Sequence, residues 1–96
     1  MRPALVISIS EAGRLPLRVV VPITDWKPLF ADFFWFIRLS QSEKNGLMKL
    51  SGADCFQIKS VSVQRFIRHL GNATEEELEN AVYAVALCIG YGRAIE

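Results

Sequence analysis

The chain has 96 residues, of which 51% are hydrophobic and 22% are charged, and its formal net charge is +1. This composition predicts one globular domain over residues 1–96 and excludes a disordered tail or a strongly basic nucleic-acid arm. Its apolar stretches are too short to cross a bilayer and no signal-peptide pattern opens the chain, so a cytoplasmic protein without a membrane partner is expected.

Short apolar runs alternate with turn-forming residues, which is typical of a small antiparallel sheet. Strands are predicted over residues 4–9, 17–23, 33–39, 52–58 and 67–70. A continuation of the fourth strand through residues 59–61 is left open. Residues 25–30 are predicted as a loop or short helical turn, and residues 63–66 as one helical turn.

The last segment carries the pattern of an amphipathic helix. Thr74 is predicted as its N-cap, and Glu77 three residues later completes a capping box. Apolar residues recur at the helical period from Leu78 to Ile89, and Gly90 is a suitable C-terminal signal. The predicted fold class is therefore mainly β with appended helices.

Polar residues stand at the outer ends of the first two strands. Arg2 opens the first, and Thr24 follows the second. If these strands pair as an antiparallel hairpin, the two side chains lie together at one rim of the sheet. A guanidinium beside a hydroxyl is suited to binding a phosphate.

Basic and aromatic residues follow the same strand ends. Trp26 and Lys27 come directly after Thr24, and Gln57 and Lys59 lie at the end of a neighbouring predicted strand. An aromatic ring for base stacking, combined with positive charge for the backbone, is what single-stranded RNA binding requires. Trp26 is equally compatible with a role as a lid over the hydrophobic core.

Other site chemistries find little support in the residues present. His69 is the single histidine, and neither Cys55 nor Cys88 has metal-ligand spacing, so no metal or cofactor is expected. The two cysteines are predicted to be buried free thiols. Asp54 lies in an apolar strand, where a hydrogen-bonded structural carboxylate is favoured over a catalytic base.

Several sequence blocks together resemble one protein family. They are Arg-Pro-Ala-Leu-Val-Ile-Ser at residues 2–8, Val-Pro-Ile-Thr at 21–24, Ser-Gly-Ala-Asp-Cys-Phe-Gln-Ile-Lys-Ser-Val at 51–61, Arg-Phe at 65–66 and the acid-capped last helix. In this order and spacing they resemble the MazF/PemK family, the toxins of bacterial type II toxin–antitoxin systems. The resemblance extends from Arg2 to about Tyr91.

The resemblance implies a small SH3-like β-barrel of the CcdB/PemK type that forms a homodimer. It implies metal-independent, sequence-specific cleavage of single-stranded mRNA, which leaves 2′,3′-cyclic phosphate and 5′-hydroxyl ends. The implied partner besides RNA is a cognate antitoxin, whose disordered tail covers the RNA groove.

The resemblance also implies roles for individual residues. Arg2 takes the position of the family's active-site arginine, and Thr24 that of the threonine that hydrogen-bonds the same scissile phosphate. Gln57 occupies a position that contacts RNA bases, and Lys59 is expected to contact the RNA backbone.

The chain departs from the family at its start. Family members carry one or two further strands before the Arg-Pro block, about twenty residues that help to close the barrel. Weak or absent cleavage is therefore expected of a chain that begins at Arg2. The alternatives are a non-catalytic toxin-like protein that dimerises and binds an antitoxin, and a gyrase-inhibitor-like binding module. The ending at residues 91–96 lacks the Trp-Gly-Ile type of sequence that a gyrase inhibitor requires.

Overall fold

The computed structural model describes residues 2–92, and the end of the chain considered for gyrase binding lies in part outside them. Within that range the chain forms five strands and one α-helix. The strands are β1 (Ala4–Val6), β2 (Leu17–Asp25), β3 (Phe36–Leu39), β4 (Ser51–Asp54) and β5 (Lys59–Ser62), and the helix is α1 (Glu75–Cys88). Two short 3₁₀-helices span Pro28–Asp32 and Val63–Arg65.

β2 is the central strand of an antiparallel sheet. Its strand order is β1-β2-β4-β3, and β5 also pairs with β2. β5 pairs with the first half of β2, from Leu17 to Val20, whereas β4 pairs with the second half, from Ile23 to Asp25. β4 and β5 thus follow each other along β2, and nine residues of one strand organise the sheet.

Pro22 lies in the middle of this central strand, where a missing N–H would normally break a ladder. The pairing with β5 ends at Val20 and the pairing with β4 begins at Ile23. Pro22 therefore falls between the two ladders. On the β1 side its neighbour Ile23 donates its N–H to the carbonyl of Pro3 at 3.0 Å. The sheet accommodates the proline without losing a hydrogen bond.

Within residues 2–92 the sheet does not close on itself, so the expected closed barrel is not formed. β1 pairs only with β2 and β3 pairs only with β4, so no ladder joins the two ends. The predicted class, mainly β with an appended helix, is confirmed.

Four predicted strands are shorter than expected or absent. The first, predicted over residues 4–9, ends at Val6. Residues 33–35 turn instead, because the N–H of Phe36 donates to the carbonyl of Phe33. Residues 67–70 are irregular, since they lie against a loop rather than a strand edge: the carbonyl of Leu70 is so close to Gly46 that a Cβ there would overlap it. The predicted strand over 52–58 ends at Asp54, and a turn separates it from β5.

The hydrophobic core lies between α1 and one face of the sheet, which we call the inner face. Its members are Val21, Ile23, Leu39, Ala53, Cys55, Ala81, Ala84 and Val85. The small side chains Ala81 and Ala84 allow the helix backbone to approach the sheet closely. The predicted capping box is present: Thr74 Oγ1 accepts from the N–H of Glu77 at 3.0 Å, and the N–H of Thr74 donates to Glu77 Oε1 at 2.9 Å.

α1, with 14 residues, is the longest helix of the described chain. No helix between residues 2 and 92 is long and apolar enough to cross a membrane.

Candidate functional site

The hairpin of β1 and β2 brings Arg2 and Thr24 to the same rim of the sheet. Ala4 pairs with Pro22, and two further residues of the same register set Arg2 opposite Thr24. The hydrogen bond from Ile23 to Pro3 extends the ladder toward that pair. Directly opposed residues project from the same face, with Cβ atoms about 5 Å apart. The juxtaposition that was predicted from hairpin pairing is therefore present.

These two side chains line one shallow cavity of about 280 Å³. Its other lining residues are Pro3, Ile23, Asp25 and Ser51. Within residues 2–92 neither the guanidinium of Arg2 nor the hydroxyl of Thr24 makes a hydrogen bond to the protein, so both donors are available to a ligand.

A carboxylate also borders the cavity. Asp25 Oδ2 lies 3.6 Å from Lys49 Nζ, and both side chains are well exposed. The ammonium group offsets part of the repulsion that Asp25 would exert on a bound phosphate. On the other side of the cavity lie the exposed guanidinium of Arg2 and the half-buried hydroxyl of Thr24.

The same register extends this row across the sheet. Thr24 pairs with Gly52, and Gly52 pairs with Arg38 on β3. Because opposed residues share a face, Arg2, Thr24 and Arg38 project from the face opposite α1, which we call the outer face. Arg38 is exposed. Sequence reasoning assigned no functional role to Arg38, since only the pairing of β3 with β4 places it in this row.

Gln57 is held by the turn that follows β4. Its Nε2 donates to Asp54 Oδ2 at 2.7 Å, while the backbone N–H of Phe56 donates to Asp54 Oδ1 at 3.2 Å. Asp54 is 9% exposed, so its carboxylate acts as the structural acceptor that the sequence favoured. Residues 54–57 thus form an Asx-type turn that orients both Phe56 and Gln57.

The two candidate lysines, Lys59 and Lys27, lie on different elements of the fold. Lys59 is the first residue of β5 and pairs with Val20, which stands four residues before Thr24 on β2. At the usual strand rise this separation is about 13 Å. Lys27 is exposed and precedes the 3₁₀-helix Pro28–Asp32. Neither lysine has a carboxylate partner in the described part of the chain.

Trp26 covers the sheet. A Cβ at Gly52 would lie 3.1 Å from Trp26 Cε3, so the indole rests directly over that glycine. Its ring also meets Phe30 edge to face at a centroid distance of 5.6 Å. Trp26 is half-buried. Of the two interpretations left open, the lid is favoured, although it covers the outer face rather than the core beneath α1.

Trp26 belongs to a larger aromatic cluster that the sequence did not predict as a unit. Its members are Trp26, Phe30, Phe33, Phe34, Trp35, Phe36 and Phe56, linked through ring centroid distances of 3.8 to 6.5 Å. An alternating strand would have divided these rings between two faces. The turn at residues 33–35 gathers them instead.

Cys55 belongs to the core, as predicted, whereas Cys88 is only half-buried and the prediction of a buried thiol there is wrong. Cys55 is fully buried, and burial raises its pKa to about 12, with smaller contributions from Cys88 and Asp54. Burial, followed by Asp54, also raises the pKa of Cys88. A thiol that stays protonated is a poor nucleophile and a poor metal ligand. Across residues 2–92 no three His, Cys, Asp or Glu side chains gather as a metal site.

Comparison with known proteins identifies the family. A family model described as PemK-like, MazF-like toxin of type II toxin-antitoxin system matches residues 1–89. The chain belongs to this toxin family. No curated protein matches the sequence of this MazF-like toxin.

Solved structures share the MazF-like fold. The Mycobacterium tuberculosis toxin MazF-mt6 superposes with a TM-score of 0.74 at 19% identity, and the match covers 92% of this chain and 85% of that chain. The structure of a second toxin, described as Mtb toxin, gives a TM-score of 0.71 at 21% identity and covers 91% of each chain. At these identities the likeness concerns the fold.

Proposed function

We propose that this MazF-like toxin is an endoribonuclease that cleaves single-stranded mRNA, with Arg2 and Thr24 at the scissile phosphate. The observation that carries the proposal is the shared cavity, where a guanidinium and a hydroxyl stand opposite each other on a sheet rim. Membership of the toxin family supports the same function.

The proposed reaction needs little chemistry from the protein. The 2′-oxygen of the RNA attacks the adjacent phosphorus, and the bond from phosphorus to the 5′-oxygen breaks. The 2′-hydroxyl loses one proton and the leaving 5′-oxygen gains one, so the products are a 2′,3′-cyclic phosphate and a 5′-hydroxyl. The protein has to align these atoms and stabilise charge on the non-bridging oxygens.

Arg2 and Thr24 suit that task for different reasons. The Arg2 guanidinium can donate two parallel hydrogen bonds to phosphate, and its contribution is electrostatic rather than that of a general acid. The hydroxyl of Thr24 adds a third donor from β2, the best-anchored strand of the sheet. Donors held on a sheet need not reorganise as charge develops.

The remaining candidate residues would bind RNA away from the reacting atoms. Gln57 is oriented by Asp54, which leaves its amide oxygen and one N–H for a base edge. Lys59 and Lys27 would neutralise the backbone. The family also supports a cytoplasmic homodimer and a cognate antitoxin that blocks this surface.

The test is cleavage of a long single-stranded RNA by purified protein in EDTA. Removal of one preorganised donor typically costs roughly ten- to a thousandfold in rate. Thr24→Ala and Arg2→Ala should each fall within that range, while Thr24→Ser, which retains the hydroxyl, should remain close to wild type. The products should carry 2′,3′-cyclic phosphate ends.

Arg14→Ala is the matched control, because it removes an exposed arginine from the hairpin loop outside the proposed site. Its cleavage rate should be unchanged. Full-rate cleavage by both Arg2→Ala and Thr24→Ala would show that the site is wrongly assigned. A wild-type protein that cleaves no RNA but binds its antitoxin would replace the proposal with the non-catalytic alternative.

A further inference from the structure

Two rings of the aromatic cluster are directed to solvent rather than into the protein. Phe34 is 57% exposed and Phe56 is 67% exposed. Both contact Trp35, with centroid distances of 5.3 Å from Phe34 and 6.5 Å from Phe56. We call this group of three residues the aromatic platform.

We propose that the aromatic platform stacks unpaired RNA bases next to the base edge bound by Gln57. The inference rests on the proposed ribonuclease function and extends it to base recognition. Aromatic rings that bind single strands present an open face to successive bases, because every base has a π-surface on which to stack.

The turn after β4 displays the platform in a fixed orientation. The carboxylate of Asp54 accepts from the backbone of Phe56 and from the side chain of Gln57. One buried anchor therefore orients a stacking ring and a hydrogen-bonding amide on adjacent residues. A base stacked on Phe56 would present its edge near Gln57.

The platform is continuous with the proposed cleavage site. Gly52 pairs with Thr24, and Phe56 follows Gly52 by four residues, a chain distance of at most about 13 Å. Neighbouring rings lead from Trp26 to the platform: Trp26 meets Phe30, and Phe30 stacks on Phe36 with centroids 3.8 Å apart. Phe33 then lies between Phe36 and Trp35, with centroid distances of 6.4 and 4.7 Å. A few nucleotides of single-stranded RNA would span this distance.

The surrounding charges favour RNA as the occupant over an acidic protein segment. Of the carboxylates already described at the site and in this turn, Asp25 pairs with Lys49 and Asp54 is hydrogen-bonded. Four cations of this region have no carboxylate partner within residues 2–92 and could neutralise a phosphate chain: Arg2 and Arg38 in the row through Thr24, Lys27 next to Trp26, and Lys59 on β5.

The experiment measures binding without cleavage. The probe is a short, random-sequence RNA labelled with fluorescein and methylated at every 2′-oxygen, which removes the nucleophile. A second probe is an abasic chain of the same length, which keeps the charge and lacks bases. Binding of both is followed by fluorescence anisotropy for the wild type, Phe34→Ala, Phe56→Ala, Phe56→Leu and Phe56→Tyr.

Loss of one stacked base should weaken binding of the base-bearing RNA by roughly 5- to 150-fold in Phe56→Ala. Phe34→Ala should also weaken it. Phe56→Leu should behave like Phe56→Ala because it keeps apolar area without a π-face, whereas Phe56→Tyr should restore binding. On the abasic chain all variants should match the wild type.

Tyr83→Ala is the control, because Tyr83 is also 60% exposed but lies on α1, which packs on the inner face. It should leave binding of both probes unchanged. Thermal unfolding confirms that each variant is folded, and because Phe34 and Phe56 are exposed, their substitution should leave Tm close to that of the wild type.

The outcomes separate the two proposals. If the wild type binds the base-bearing RNA and the phenylalanine variants bind it equally well, the platform is wrong while the ribonuclease proposal stands. If the phenylalanine variants bind RNA as the wild type does but differ from it in oligomeric mass, the rings belong to a protein interface, and the platform is also overturned. A wild type that binds neither probe would overturn both proposals.

Discussion

A single cross-strand pair places the two candidate site residues of this toxin side by side. Neither Arg2 nor Thr24 is unusual in itself; the register of β1 on β2 sets them opposite each other. A slip of one residue would send one of the two side chains to the other face of the sheet. Leu5 and Val21 pair on the inner face, where Val21 is fully buried, and this burial specifies the register.

Cys55 gives a prediction at the same scale. Its folded-state pKa of about 12 lies above the reference value of 9.0, so folded protein keeps the thiol proton after the unfolded chain has lost it. The resulting stabilisation is fully present below pH 9 and is lost as the pH rises toward 12. The free energy of unfolding should decrease across this window, by at most about 1.4 kcal/mol per pH unit for one thiol.

Urea unfolding of the wild type and of Cys55→Ala between pH 9 and 12 tests this expectation. Other groups titrate in both proteins, so the difference between the two pH slopes isolates the thiol. Cys55→Ala should be less stable near neutral pH and less sensitive to pH above 9. Parallel slopes for the two proteins would contradict the raised pKa.

At the level of elements, β2 and α1 have separate roles in the fold. β2 pairs with three strands and carries the candidate residue Thr24 near its end, whereas α1 covers the inner face through small residues. The helix contributes nothing to the outer face. Weakening α1 should therefore lower the free energy of unfolding without changing the geometry of the site.

The capping box of α1 tests that division. Thr74→Ala removes the acceptor for the N–H of Glu77 and should lower the free energy of unfolding by about 1 kcal/mol. Thr74→Ser keeps the acceptor and should remain near wild type. Chemical denaturation provides the measurement. A loss of RNA cleavage in folded Thr74→Ala would show that α1 and the site are coupled after all.

At the level of the whole molecule, the amount of exposed apolar surface is informative. Within residues 2–92, seventeen large hydrophobic side chains are between 37% and 92% exposed, and they include Leu78 and Val82 on α1 and Met48 in the loop before β4. A small chain that buries so little of its apolar content favours association with a second subunit.

The expected association is a homodimer, as the family resemblance implied. Sedimentation should give a mass of twice 10.8 kDa. Because a dimer that dissociates on unfolding is stabilised by mass action, its Tm should increase with protein concentration. A single-subunit mass together with a Tm that does not depend on concentration would contradict this prediction.

Much of the site could be anticipated from residues that are close in sequence or joined by a hairpin. Arg2 and Thr24 were placed together because short antiparallel strands with a Gly-containing loop have few ways to pair. The capping box at Thr74 needs only residues three apart, and the structural role of Asp54 follows from its apolar surroundings. Arg38 was not found, because its place beside Thr24 depends on two further strand registers.

The sequence by itself determined the mainly β class, the family and the polar pair at the rim of the sheet, since these depend on local pattern and on one hairpin. Only the tertiary structure decided the open sheet, the turn that divides β4 from β5 and the gathering of aromatic rings over Gly52. The physical reason is that local patterns show which residues prefer an extended backbone, whereas ladder partners depend on distant segments. Residues 67–70 have the composition of a strand, but they lie beside a loop and have no edge with which to pair.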